Sequence, residues 1–355
     1  MLRILHILND IQDAGNGIIN AAIDLACLQA RDGHEVRVAS TGGGYEALLS
    51  RYGAGHFDLD QTRRPTFLLR ACSRYRTIVR EFQPDIVHAH NVTGAVISRS
   101  LRGKTGYGLV TTSQNEFKRS AILMGLGDRV IAVSEAIGLS LRRRGVAASK
   151  IRLVRNGTLG SPRNYPISQY RPAVLPGQAI VTVAGLYRRK GIAELISAFG
   201  GVASRFPEAH LYLVGEGPGR PEFESLARSS AASRIHFEGF QKEPQRYMLA
   251  ADIFVLASHR DPCPLVIAEA REAGCAIVGS NVDGIPELLD GGNAGLLVPP
   301  GDIPALEAAL TRILSNTREK AKWQKLAMQN LEAYSVDRVS RETEAVYREL
   351  LHDRR

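Results

Sequence analysis

The chain has 355 residues, 44% hydrophobic and 23% charged, more than one hydrophobic core usually serves, so two globular domains are expected. It contains no run of 18 apolar residues, so no spanning helix is expected. Its four cysteines, Cys27, Cys72, Cys263 and Cys275, lack the spacing of a zinc site or a disulfide framework. The formal charge of +9 lies wholly in residues 1–160, where 22 Lys and Arg face 13 Asp and Glu; the remaining 23 of each sign cancel, so the first half is the one suited to an anionic partner.

In chain order, LRILHIL reads as a first strand rather than a cleaved signal segment. The glycine loop Asp13-Ala14-Gly15-Asn16-Gly17 follows, then helical periodicity from Ile18 to Ala30 ended by Gly33, then the strand HEVRVAS. Residues Thr66–Phe82 predict an arginine-rich amphipathic helix with Arg70/Arg74 and Arg76/Arg80 at i, i+4 spacing. Arg142-Arg143-Arg144 adds a second basic cluster. This surface suits an anionic membrane, and it reads equally as the solvated face of a half-buried helix. The runs DIVHAH (85–90), GLVTTS (108–113) and DRVIAVS (128–134) predict further strands.

The proline-rich, aperiodic stretch 159–177 predicts the domain linker. Strand and helix alternation then restarts with AIVTVAG, a helix from Gly191 to Phe206, HLYLVG, RIHFEGF, ADIFVLAS, a helix from Pro264 to Gly274, AIVGS and AGLLVPPGD. The tail is helical, with Tyr334–Leu351 as a final amphipathic helix. The expected fold is α/β: two Rossmann-like parallel-sheet domains facing across a cleft, with domains at 1–160 and 161–335 and a helix at 336–355 that packs back on the first.

The densest chemical pattern is SHRDPCPLVIAEAREAGCAIVGSNVDGIPELL. Asp261 and Glu269 stand with seven residues between them around a helix start at Pro264-Leu265. Free backbone N–H groups there would point at a diphosphate, aided by the helix dipole. One carboxylate can then hold a ribose and the other the hydroxyls of a sugar. Taken singly, Asp261 is an ordinary loop carboxylate, Glu269 a solvated helix residue, Lys190 a surface charge, and Gly15 with Gly17 a turn.

Together, in this order and spacing, these elements resemble the retaining glycosyltransferases of family four, which have the GT-B fold. The resemblance takes in the carboxylate pair, Asp283-Gly284-Ile285-Pro286-Glu287 in the place of a G-G-x-P-E element, and Gly295 to Asp302. It extends to Leu213 to Pro218, the Lys190-Gly191 step, the glycine loop, DIVHAHN, VIAVSEAI and Asn156-Gly157, and so covers nearly the whole chain. It implies that Glu269 binds the donor ribose, that Asp261 faces the transferred sugar, and that Lys190, with Arg189 nearby, neutralises the diphosphate. It further implies that Gly15 and Gly17 approach the phosphates, that the loop at Gly239-Phe240 cradles the base, and that Gly185, Gly217, Pro264 and Leu265 line the donor site.

Three departures stand out. Gly185 occupies the position of a usual arginine, which Arg188 or Arg189 would have to replace. Asp261 is one methylene shorter than the usual glutamate. Gln114 stands where many members carry a histidine beside the sugar, and a glutamine donates a hydrogen bond but holds no charge. His88, His90 and Asn115 are candidate acceptor-side residues, with a satisfied structural role equally open for the two histidines.

The expected partners are a nucleotide-sugar donor and a glycan or lipid-linked acceptor of cell-surface polysaccharide or glycolipid synthesis. No metal or cofactor is expected, the donor being a substrate. Nucleic acid is not expected, since interleaved aromatics are lacking. The expected location is cytoplasmic and peripheral to the inner membrane face. The alternative is a weak or inactive nucleotide-sugar-binding paralogue or partner-dependent subunit, motivated by Gly185 and Gln114.

Overall fold

The computed structural model describes residues 1–103, 105–114 and 118–354. The chain divides into two compact units, Met1–Asn164 with Ala333–Arg355, and Tyr165–Glu332.

The first unit is built on seven parallel strands: β1 Arg3–Ile7, β2 Glu35–Ser40, β3 Gly55–Asp58, β4 Ile86–Ala89, β5 Gly108–Ser113, β6 Arg129–Ala132 and β7 Ile151–Leu153. Their order is β3-β2-β1-β4-β5-β6-β7, so the direction of winding reverses between β1 and β4. Ligand crevices of such sheets form where the winding reverses. The helices are α1 Gly17–Arg31, α2 Glu46–Arg51, α3 Pro65–Phe82, α4 Val92–Ser100 and α5 Glu135–Arg143. Asn16, Asn91 and Ser134 cap α1, α4 and α5 by accepting bonds from Ile18, Gly94 and Ile137 backbone N–H groups.

The second unit holds β8 Gln178–Val183, α6 Ile192–Arg205, β9 Ala209–Val214, α7 Arg220–Arg228, β10 Ile235–Gly239, α8 Gln245–Ala250 and β11 Ile253–Leu256. It continues through α9 Leu265–Glu272, β12 Ala276–Ser280, α10 Ile285–Leu288, β13 Leu296–Val298, α11 Ile303–Leu314 and α12 Thr317–Ala327. The strand order β10-β9-β8-β11-β12-β13 reverses between β8 and β11. Its core packs α6, α7 and α11 on one face of the sheet, with Phe199, Phe223, Leu211, Val255 and Leu310 buried.

The last helix, α13 Val336–His352, belongs to the first unit. It starts at Val336 rather than Tyr334 because the Ser335 hydroxyl accepts from the Arg338 N–H, setting the cap one residue past the tyrosine. Val346, Tyr347 and Leu350 enter the core formed by β1, β2 and α1, each worth about 2 kcal/mol of apolar burial. Glu349 pairs with both Arg129 and Arg152.

The 159–177 stretch is not one continuous linker. Ser161 and Arg163 both bond the buried carboxylate of Asp24 on α1, at 2.7 and 2.8 Å, which ties residues up to Asn164 to the first unit. A buried aspartate needs such partners, and the sequence separation of 139 residues hid them.

Candidate functional site

In the second unit, the segments that follow β8 and β11 flank the reversal of winding. Lys190 ends the turn after β8, and Asp261 sits in the loop after β11. Lys190 Nζ donates to Asp261 Oδ2 at 2.5 Å, with side chains only 13% and 9% exposed. The Ser258 hydroxyl lies 3.4 Å from the same oxygen. The turn can hold Lys190 there because Gly191 has φ +67 and a Cβ on it would come 1.8 Å from the Ala257 carbonyl oxygen. A poorly solvated lysine and carboxylate stabilise each other, and each can exchange its partner for a ligand group of opposite sign or for hydroxyls.

Beyond Asp261, α9 begins after Pro264, whose side chain offers no cap. The first-turn amides of α9 at Leu265 and Val266 are thus without a side-chain cap. Glu269 lies half-buried one turn into the helix. Burial, with the Glu269 charge adding to it, pushes the Glu272 carboxyl upward. Arg271, unread at the level of sequence, is fully buried. It donates to the Leu288, Ala327 and Gln329 carbonyls at 2.6–2.8 Å and pairs with Asp290 at 2.8 Å. It locks the helix that carries Glu269 against α10 and the end of α12. The only signal in the sequence was a lone arginine in the small-residue run EAREAG.

Of the other expected donor residues, Gly217 packs so closely that a Cβ would meet the Leu186 carbonyl oxygen at 2.6 Å, which by itself accounts for its being glycine. At Gly185 a Cβ would meet the Tyr187 ring at 2.7 Å. Arg188 does not stand in for the missing arginine: its side chain is 83% exposed and paired with Glu222. Arg189 lies 5.7 Å from the Tyr187 ring centroid and reaches the Arg260 carbonyl. Phe240, just past β10, is 47% exposed.

In the first unit, Gly15 has φ +68 and Gly17 opens α1, both exposed in the loop after β1. Gln114, half-buried past the end of β5, accepts a 2.7 Å bond from the Asn156 amide. Asn115 lies outside the described residues.

At the β1/β4 reversal sit His6, His88 and His90, exposed by 0%, 0% and 6%. Gln29 Oε1 accepts from His6 Nε2 at 2.8 Å, which leaves His6 Nδ1 to accept from His90 Nε2 at 3.0 Å. His88 bonds the Tyr347 and Thr112 hydroxyls at 2.5 and 2.6 Å. His88 is therefore no acceptor ligand in this arrangement: both ring nitrogens are committed and the ring is enclosed. His90 is likewise enclosed, with Nδ1 unpartnered. Ligand-capable atoms of the three lie within 4.8 Å of one another, and every ring nitrogen except His90 Nδ1 has a hydrogen-bond partner. Burial lowers the His6 pKa to about 4 and holds those of His88 and His90 well below their ordinary value.

Two family models match the chain, one described as Glycosyltransferase Family 4 over residues 15–158 and one as Glycosyl transferases group 1 over residues 177–316. Among curated relatives, the lipopolysaccharide core biosynthesis glycosyltransferase LpsE of Rhizobium meliloti is 29% identical over 47% of this chain and 48% of its own. The phosphatidyl-myo-inositol mannosyltransferase of Mycolicibacterium smegmatis is 31% identical over 45% of this chain and 42% of its own. The chain thus spans about half the length of these relatives. Among solved structures, Anabaena Alr3699/HepE in complex with UDP-glucose has a TM-score of 0.82 at 20% identity, covering 97% of this chain and 99% of that one. WaaG, a glycosyltransferase involved in lipopolysaccharide biosynthesis, gives 0.76 at 16% identity over 97% and 98%. The fold is accordingly that of the GT-B glycosyltransferases, with the expected two parallel-sheet domains.

Proposed function

We infer the activity from one premise: the chain belongs to the glycosyl transferases of group 1, glycosyltransferase family 4. It moves a sugar from a nucleoside-diphosphate donor to a glycan or lipid-linked acceptor in cell-surface polysaccharide or glycolipid synthesis, retaining the anomeric configuration and using no metal. The observation that carries this reading is the Lys190–Asp261 pair beside the start of α9. As the glycosidic bond breaks, the leaving diphosphate gains negative charge, and Lys190 with the α9 amides can neutralise it. Asp261, released from Lys190, is free to accept hydrogen bonds from sugar hydroxyls, and Glu269 from the ribose. In front-face transfer the leaving phosphate oxygen takes the acceptor proton, which requires no basic side chain at the position of Gln114.

The UDP-glucose complex of the similar Anabaena protein makes UDP-sugars the first donors to test. In a screen of UDP-, GDP- and ADP-sugars, one donor should raise the unfolding temperature, through a stabilisation of about 2.7 kcal/mol at a hundredfold excess over its Kd. The shift should vanish in Glu269→Ala and Lys190→Ala. Full shifts in both variants would overturn the site. Tight donor binding without transfer to any acceptor would instead establish the binding-only alternative, which the absence of an arginine at Gly185 favours.

The acceptor side has support from α3. Arg64, Arg70, Arg76 and Arg80 are exposed without a carboxylate partner among the described residues, and Leu69 is 73% exposed among them. No helix among the described residues is long and apolar enough to cross a membrane. An exposed leucine amid arginines suits the anionic face of a bilayer, where a lipid-linked acceptor would be presented on the cytoplasmic side.

A further inference from the structure

Asp261, one of the departures from the family pattern, is bonded to Asp283 of the element that stands in the place of G-G-x-P-E. Asp283 occupies the place of the first glycine in the G-G-x-P-E element and has φ +48, a left-handed conformation that a side chain adopts at some strain. Its carboxylate compensates through three contacts. Oδ2 accepts from the backbone N–H of Asp261 at 2.9 Å, and the Arg260 guanidinium lies 2.9 and 3.2 Å from its two oxygens. In return the Gly284 N–H donates to the Asp261 carbonyl at 3.3 Å. The turn before α10 and the loop after β11 are thus stitched together at the residue that pairs with Lys190.

We propose that Asp283 is a positioning residue that compensates for the short side chain of Asp261 by drawing that residue's backbone to a fixed place beside Lys190. A glutamate at 261 would reach the transferred sugar with one more methylene, roughly 1.5 Å further. An aspartate has no such slack, so its backbone must be held where the shorter carboxylate, once released from Lys190, still reaches the sugar hydroxyls. Asp283 supplies that hold, and its effect falls on the sugar, not on the nucleotide, which the amides of α9 and Glu269 grip independently. This inference rests on the donor-site reading above.

The test compares Asp283→Gly and Asp283→Asn with the unaltered chain, using the sugar nucleotide found in the thermal-shift screen and the matching nucleoside diphosphate. Glycine removes the strain and the carboxylate together. We expect its unfolding temperature to hold or rise and its affinity for the nucleoside diphosphate to stay within about twofold, while turnover of the sugar nucleotide falls about tenfold to a hundredfold, as for a displaced reacting group. Asparagine tolerates the left-handed backbone and still accepts from the Asp261 N–H, so it should restore most of the turnover. Unchanged turnover in the glycine variant would overturn the proposal, as would equal losses of nucleoside diphosphate and sugar-nucleotide affinity. If no sugar nucleotide binds the unaltered chain, the donor-site reading itself falls, and this inference with it.

Discussion

The carboxyl ends of β1 and β4 in the first unit, and of β8 and β11 in the second, mark the same point in the same topology, and they are finished with opposite chemistry. At the first, three imidazoles are buried neutral, His6 hydrogen-bonded to His90 and Gln29, and His88 to Thr112 and Tyr347. At the second, a lysine and an aspartate are left as a charged pair that a ligand can divide. A neutral hydrogen-bonded network stiffens the sheet beneath a loop; an ion pair of 13% and 9% exposure holds charge in reserve for an anionic, hydroxyl-rich ligand. The surface charge is distributed the other way, with the whole excess of +9 on residues 1–160 and none beyond.

Removing the buried charge that anchors the second site should have the largest effect. Arg271→Met removes the guanidinium bonds to Asp290 and to three carbonyls, and should lower the stability of the second unit by about 3–5 kcal/mol. Trp323, the single tryptophan, lies in α12 of that unit and reports the loss in a urea titration. A change under about 1 kcal/mol would show that Arg271 is a passenger rather than an anchor.

Acid should act on the other unit. At pH 7.5 the histidines are neutral whether the chain is folded or not, so they contribute no pH dependence. Below the ordinary value of 6.5 the unfolded chain takes up protons that folded His6 refuses down to about 4, so stability falls across that window. His6 alone should cost the fold about 2 kcal/mol between pH 7.5 and pH 5, and His88 and His90 add in the same direction. Corrected for the slowing of intrinsic exchange as the pH falls, the protection of the β1 and β4 amides should drop over this interval while the Trp323 transition moves less. Equal loss in both units would erase the contrast.

The surface contrast should carry the smallest energy of folding. Replacing Arg70, Arg74, Arg76 and Arg80 of α3 by Gln should change the unfolding free energy read from a urea titration by under about 0.5 kcal/mol, since the guanidinium groups are exposed. It should also abolish salt-sensitive flotation with phosphatidylglycerol vesicles. Flotation unchanged by the four substitutions would end the role given to this helix.

Much of the frame was legible before the structure. GLVTTS and AIVGS occupy β5 and β12 to the residue, because runs of that length rich in apolar and β-branched residues and free of charge suit strands buried on both faces. The short edge strands β3 and β7, GHFD and IRL, passed unread, since edge strands this short carry no apolar run. Among the candidate site residues, Asp261 and Glu269 were singled out by their spacing about a helix start, and Lys190 only by the resemblance. Arg188 could not be told from Arg189, because which of two adjacent arginines turns toward a ligand depends on where Glu222 and Tyr187 lie.

What the sequence determined alone is what repeats along a few neighbouring residues: strand and helix periods, the helix start after Pro264, the excess of arginine in the first half. What only the tertiary structure decided is the fate of polar groups buried far from their partners in sequence. His88 meets Tyr347 across 259 residues, Asp24 meets Arg163 across 139, and Asp283 meets Asp261 across 22. Apolar burial is non-directional and leaves its mark in composition and period. A buried hydrogen bond needs one partner at one distance, and that partner is known only once the sheet has been assembled.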